Sequence, residues 1–455
     1  MNDITAFFAF LKYCLGYKEN MSRVIAGMDW QMLYSFASKQ ALLGLCFEGI
    51  ERLGEEYPEE LRLNPIGREL LMTWMGKAQQ IRRQNMKVNA VAGKLFSMLR
   101  EDGLRCCILK GQGNALMYPN PYSRTPGDID VWINASRERI MEYASKKFEL
   151  GDDIRLQHLE TSLDGVPVEL HFFPCSMNNP IYHARLQKWF RRNADLQCSH
   201  IVGMPDGAGD IAIPTTAFNV IYQLTHLYHH FFDEGIGMRQ IIDYFLVVND
   251  FSKNVFLNND LSNHPVNFSN HPVPLSKEGS TFSLSPSSSG SGDVTAPSRC
   301  SEPLRSKDGG PSKVSPDCAG WDRLAIEGDN SATAVTSSAS TALVVVQREL
   351  KCLGLWKFAG AVMYVLHEAL GLPEEKMIAP MDEKRGKLLL AEILNGGNFG
   401  QHFTKYGHFT QQGMAKKYFL KIWRNMHFVR YYPAEALSEP IFRTWHFFWR
   451  LKHRR

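Results

Sequence analysis

Apolar positions recur at three- and four-residue spacing over 4–16, 29–52 and 66–101, and this spacing predicts amphipathic helices. Gly54 and Asn64-Pro65 punctuate them, and an unbroken 66–101 helix would run for about nine turns at 3.6 residues per turn. The pattern then shortens. Cys106-Cys107-Ile108-Leu109 is a brief apolar run ending at Gly111, and Asp128-Ile129-Asp130-Val131-Trp132-Ile133 alternates with period two, as strands do. Residues 156–163 and 166–173 flank Asp164-Gly165, a hairpin turn signal. Short helices are expected at 113–118 and 136–148, which completes a small mixed α/β module over residues 102–175. Helices resume near Thr215, break at Glu234-Gly235-Ile236-Gly237 and continue to about Asp250.

The composition then collapses. Residues 276–341 hold 17 serines among Gly, Pro and Thr, with no hydrophobic period, and Ser-Asn-His-Pro-Val occurs at 262–266 and again at 269–273. Such a stretch buries too little apolar surface to offset its ordering entropy, so 252–340 is expected to be a disordered insertion. The fold class expected is α+β, mostly helical. A helical segment (1–101), the mixed-sheet module (102–175) and a second helical segment (176–251) precede the insertion, and a C-terminal helical segment (341–455) follows it.

With 44% hydrophobic and 22% charged residues the chain has globular composition. Its 51 Lys+Arg against 47 Asp+Glu leave +4, which by itself implies no nucleic-acid partner. The charge is uneven: residues 414–455 carry ten Lys/Arg against two Glu. Nine cysteines form no C-x-x-C pair, which argues against a disulfide framework or zinc site and fits a reducing compartment. No run of about 18 apolar residues occurs, and the N-terminus lacks the basic region of a signal peptide. A cytoplasmic protein without stable membrane insertion is expected.

Two residues apart on a strand, Asp128 and Asp130 face the same way. Paired carboxylates repel unless a cation lies between them, and hard oxygen ligands of this kind suit Mg²⁺. Gly111-Gln112-Gly113 occupies a strand-to-helix turn, where free backbone N–H groups can hold a phosphate. Lys110 and Arg124 are candidate partners for phosphate charge. Glu169, in Val168-Glu169-Leu170-His171-Phe172, is the candidate third carboxylate, facing away from the buried Val168, Leu170 and Phe172. His171 reads more readily as a packing residue than as a ligand.

Leu109-Lys110-Gly111, Tyr118-Pro119, Arg124, Asp128-Ile129-Asp130 and Glu169-Leu170-His171 together resemble the uncharacterised bacterial nucleotidyltransferases of the polymerase-β-type superfamily. Gly235-Ile236-Gly237-Met238-Arg239-Gln240, Asp243-Tyr244 and Tyr432-Pro433-Ala434-Glu435-Ala436 extend the resemblance, which covers about 30–250 and 345–450. It implies that 102–175 is a nucleotidyltransferase module and that an NMP moves from an NTP, ATP foremost, to a hydroxyl of an unidentified acceptor. Asp128, Asp130 and Glu169 would be catalytic and hold two Mg²⁺ ions; Lys110, Gly111, Gln112, Gly113 and Arg124 would bind the nucleotide. The alternative is a catalytically inactive nucleotide-binding or protein-interaction module of the same fold, motivated by Gln112 in place of a small residue and by the long insertion. An enzyme acting on RNA or DNA is a third reading, suggested by the basic, aromatic C-terminus.

Three further patterns have bland readings. His226 and His230 have zinc-like i, i+4 spacing but lack the intervening Glu of metalloproteases. Arg239 and Asp243, also i, i+4, are expected to pair on a helix surface. Trp423, Tyr431, Tyr432, Phe442, Trp445, Phe447, Phe448 and Trp449 are expected to pack as helical core.

Overall fold

The computed structural model describes residues 3–150, 155–260, 338–402 and 414–453. Five helices open the chain: α1 (Asp3–Cys14), α2 (Ser22–Ala26), α3 (Trp30–Lys39), α4 (Leu43–Glu56) and α5 (Pro58–Leu63). The single helix expected over 29–52 is therefore two. No Gly or Pro marks the break, because its cause is tertiary: buried Gln40 donates to the Ile393 carbonyl (3.1 Å) and accepts from the Met238 N–H (2.8 Å). Asp29 caps α3 by accepting from the N–H groups of Gln31 and Met32. The long helix α6 (Arg68–Glu101) runs unbroken, as its period predicts.

The mixed module follows as β1 (Cys106–Leu109), α7 (Gly111–Ala115), β2 (Ile129–Ile133), α8 (Arg137–Lys147), β3 (His158–Leu163) and β4 (Val166–His171). The strands lie in the order β1-β2-β4-β3, with β2 and β4 parallel and the outer pairs antiparallel. Beyond the module come α9 (Pro180–Gln197), a hairpin of β5 (Ile201–Gly203) and β6 (Asp210–Ala212), α10 (Thr216–Asp233) and α11 (Met238–Asp260). Helix α11 continues ten residues past its expected end. The remaining described elements are α12 (Ser338–Cys352), α13 (Trp356–Leu370), α14 (Glu383–Gly396), α15 (Met414–Met426) and α16 (Pro433–His453). Helices α11 and α12 pack together, so the chain on the two sides of the serine-rich stretch belongs to one helical assembly. The expected insertion, apart from its ends in α11 and α12, lies outside the described residues.

Strand alternation divides the sheet into two faces. Cys106, Ile108, Ile129, Val131, Ile133, Val168 and Leu170 form one core with Val88, Ala92, Leu95 and Leu99 of α6 and Ile140 of α8. On the opposite face Cys107, Leu109 and Trp132 join the large helical core. There Trp132 stacks on Phe218 of α10, which itself stacks on Trp189 of α9 (ring centroids 6.0 and 4.6 Å apart). Each such side chain contributes about 1.5–3 kcal/mol on burial. This second face also carries Asp130 and Glu169, beside the part that α9 and α10 cover.

Gly44 of α4 meets the loop that leads into β2. A Cβ there would fall on the Ser123 carbonyl oxygen, a backbone atom with little freedom to yield. Gly44→Ala is expected to lower stability by about 1–3 kcal/mol, read as a reduced urea midpoint with an unchanged slope.

The C-terminal aromatics correct an expectation. Tyr432 is buried, but Trp423, Trp445, Phe447 and Phe448 are about half exposed or more. Phe428, Tyr432, Ala436 and Glu439 take the inward face, and a second aromatic stripe is left outside. Among the described residues no helix is long and apolar enough to cross a membrane, and the described cysteines are free thiols.

Candidate functional site

β2 places Asp130 directly opposite Glu169 of the parallel strand β4, and opposite Leu109 of β1 on its other side. Asp128, two residues earlier, precedes the strand and is exposed at the mouth of a cleft. Asp130 and Glu169 thus share one face of the sheet, and Asp128 lines the same cleft as Asp130, whereas Glu169 lies beside the cleft lining rather than in it. Lys110 follows β1 with φ 52° and ψ −131°, a strained conformation for a residue with a side chain. Gly111 continues the turn at φ 36°. This bend aims the Lys110 ammonium at Asp130 Oδ1, 3.0 Å away, and at His226 Nε2 of α10, 2.8 Å away.

His171 holds the other side of Asp130. Its Nε2 lies 2.9 Å from Asp130 Oδ1 and 3.1 Å from Glu169 Oε2. Burial opposes its protonation, but the two carboxylates outweigh burial and push its pKa up to about 9. Burial likewise opposes ionisation of Asp130, and Lys110 and His171 overcome it, holding that carboxyl well below the usual range. At Asp128 desolvation by the cleft walls comes first and the Asp130 charge second, and together they push the pKa up to about 6. Two cationic side chains converging on Asp130, and a crowded carboxyl beside it, are the marks of a site that draws positive charge. Asp128, Asp130 and Glu169 offer oxygen donors of the kind that could hold a divalent ion.

The expected nucleotide-binding residues divide. Lys110 and Gly111 line the cleft. Gln112 turns away from it into the interior, where its amide donates to Asn89 of α6. Gly113 packs on Ile213, whose side chain leaves no room for a larger residue without adjustment. Arg124 borders the cleft, yet its guanidinium is buried and doubly bonded to Asp243 of α11 (2.8 and 2.7 Å), with the Tyr118 hydroxyl donating to the same carboxylate (2.8 Å).

Arg239 therefore does not pair with Asp243 as its spacing suggested. Asp243 is taken by Arg124 from across the fold, and Arg239 Nη1 donates instead to the Thr125 carbonyl (3.1 Å). Its Nε is buried without a hydrogen-bond partner, and the side chain lines the cleft. His226 Nε2 and His230 Nε2 lie 3.1 Å apart, and His226 Nε2 also takes the Lys110 ammonium at 2.8 Å, which gives this pair a hydrogen-bonding role at the cleft wall.

Two site residues were not legible beforehand. Phe399 sits on the loop after α14 and lines the cleft, with the Arg239 guanidinium 5.6 Å over its ring. His158, at the start of β3, stands opposite His171 and 3.3 Å from Glu169 Oε2. Phe399 lies in a Gly-rich loop without periodicity, and His158 has no local motif partner. Only the strand register could have found His158.

A family described as uncharacterised nucleotidyltransferase matches residues 26–262. No curated protein and no solved structure matches the chain.

Proposed function

The chain belongs to this uncharacterised nucleotidyltransferase family, and from that membership we propose that it moves a nucleoside monophosphate from an NTP to an acceptor hydroxyl in a metal-dependent reaction. The observation that carries the metal dependence is the β2–β4 register, which sets Asp130 against Glu169 with Asp128 at the cleft mouth. Asp128, Asp130 and Glu169 are the assigned ligands. Bound Mg²⁺, two ions in the full site, would neutralise the phosphates and the departing pyrophosphate.

The protein's own groups divide the remaining work. Arg239, buried and only partly satisfied, offers its guanidinium to triphosphate oxygens. Lys110 supports Asp130 and can turn to a phosphate from the same position. The turn at Gly111 lets the backbone come close to the phosphates. Phe399 provides an aromatic face for the base. Glu169 is the carboxylate assigned to take the proton from the incoming hydroxyl.

Incubation with α-labelled NTPs and a cell extract tests the reading. Label is expected to move to an acceptor in the presence of Mg²⁺, and at least about a hundredfold more slowly when the metal is chelated. NTP binding with no label transferred under any divalent metal would favour the inactive module instead.

A further inference from the structure

We infer that His158, Glu169 and His171 form a metal position for a first-row transition ion of the zinc class, on the β3–β4 side of the transfer site. Their ligand atoms all lie within 4.8 Å of one another. His158 Nδ1 is 3.3 Å and His171 Nε2 3.1 Å from the same atom, Glu169 Oε2. Two ligands about 2.0–2.1 Å from a tetrahedral ion stand roughly 3.3 Å apart, so these spacings admit one shared ion, which on binding would replace the proton that His171 Nε2 shares with Glu169.

His158 supplies an independent observation. Its side chain is only 10% exposed, and neither ring nitrogen has a hydrogen-bond partner. A buried polar group left so is destabilising unless a partner completes it. Nδ1 lies close to a carboxylate oxygen yet outside hydrogen-bonding geometry, as when two lone pairs aim at a common point rather than at each other. The strand register explains the convergence, because His158 and His171 are direct partners across β3 and β4, with Glu169 one pleat away on the same face.

The ligand chemistry selects the metal. Mg²⁺ takes oxygen and retains water, whereas two imidazoles and one carboxylate suit zinc and its neighbours. Asp130 Oδ1, 2.9 Å from His171 Nε2, stands at the border between this position and the all-oxygen one formed with Asp128. In giving the Glu169 end of the transfer site a nitrogen-rich ion, the inference rests on the functional reading above. The ligand set is tested without any transfer reaction.

Calorimetric titration of the full chain with ZnCl₂, with MgCl₂ in excess, together with metal analysis after dialysis, is the experiment. The wild type is expected to retain zinc against excess Mg²⁺. His158→Gln should weaken zinc binding by at least about tenfold, the lower end of what even an outer-sphere change costs. His226→Gln, which alters the cleft outside this ligand set, should leave zinc binding unchanged. Equal zinc affinity in the wild type and His158→Gln would overturn the assignment, as would an equal loss in His226→Gln. Zinc bound as expected, but with no nucleotide moved under any metal, would leave this site standing and remove the functional reading instead.

Discussion

Asp243→Ala is expected to lower unfolding free energy by about 3–5 kcal/mol, the largest stability loss anticipated for a single substitution near the cleft. Arg124 and Asp243 are both buried, and the bidentate pair ties the loop before β2 to α11. Removing the carboxylate leaves the Arg124 guanidinium without its anion and brings it into unrelieved repulsion with Arg239, whose ionisation burial and Arg124 already disfavour. Tyr118 loses its acceptor as well. The cost arises from the stranded charge more than from the bond itself. A double replacement, Arg124→Met with Asp243→Leu, should therefore recover much of the loss. Urea unfolding of the single and double variants measures this directly.

The effect also has a defined pH dependence. Burial opposes ionisation of Asp243, yet Arg124 outweighs it and lowers its pKa. A carboxylate depressed in the folded state contributes fully above its unfolded value of about 3.9, and the contribution fades as pH falls below that. The gap between wild type and Asp243→Ala should thus be widest near neutrality and narrow below about pH 4. A gap that widened in acid would mean that the Arg124–Asp243 charge pair is not its source.

The same ion pair shows where reading the sequence stops. Period-two alternation in 128–133 was enough to put Asp128 and Asp130 on one side, and the Gly-turn after β1 marked Lys110 and Gly111 at the strand end. These are local signals, carried by residues a few positions apart. Glu169 was legible as a face, and its expected place on a strand beside the Asp pair is met by β4, although the β2–β4 pairing skips over β3. Arg124 was legible as a cation but not as a buried one, since its partner lies 119 positions away. Gln112 and Asn89 find each other across α6 and α7 in the same manner. The exposed aromatics of α16 failed for the opposite reason: helical periodicity tells which residues share a face, not whether anything covers that face.

Asp130→Asn is expected to reduce nucleotidyl transfer by about three orders of magnitude or more, with kcat falling at least as far as kcat/KM. Asp130 is the central carboxylate, flanked by Leu109 and Glu169 in the register and gripped by Lys110 and His171. Asparagine preserves the shape but removes the charge, and its amide hydrogens would face two donors where an anion stood. The variant should also lose about 1.5–3 kcal/mol of stability with the charge-assisted bonds, so activity must be compared well below both melting transitions. Glu160→Gln separates the two effects. Glu160 lies opposite Glu169 on β3 but is half exposed and paired with Arg155, and removing its charge should leave transfer within a few-fold of wild type. If Asp130→Asn stayed within tenfold of wild type while folded, the metal-dependent mechanism would fall. If both variants lost activity equally, the general negative field of the sheet would be responsible, and the assignment of three particular ligands would be wrong.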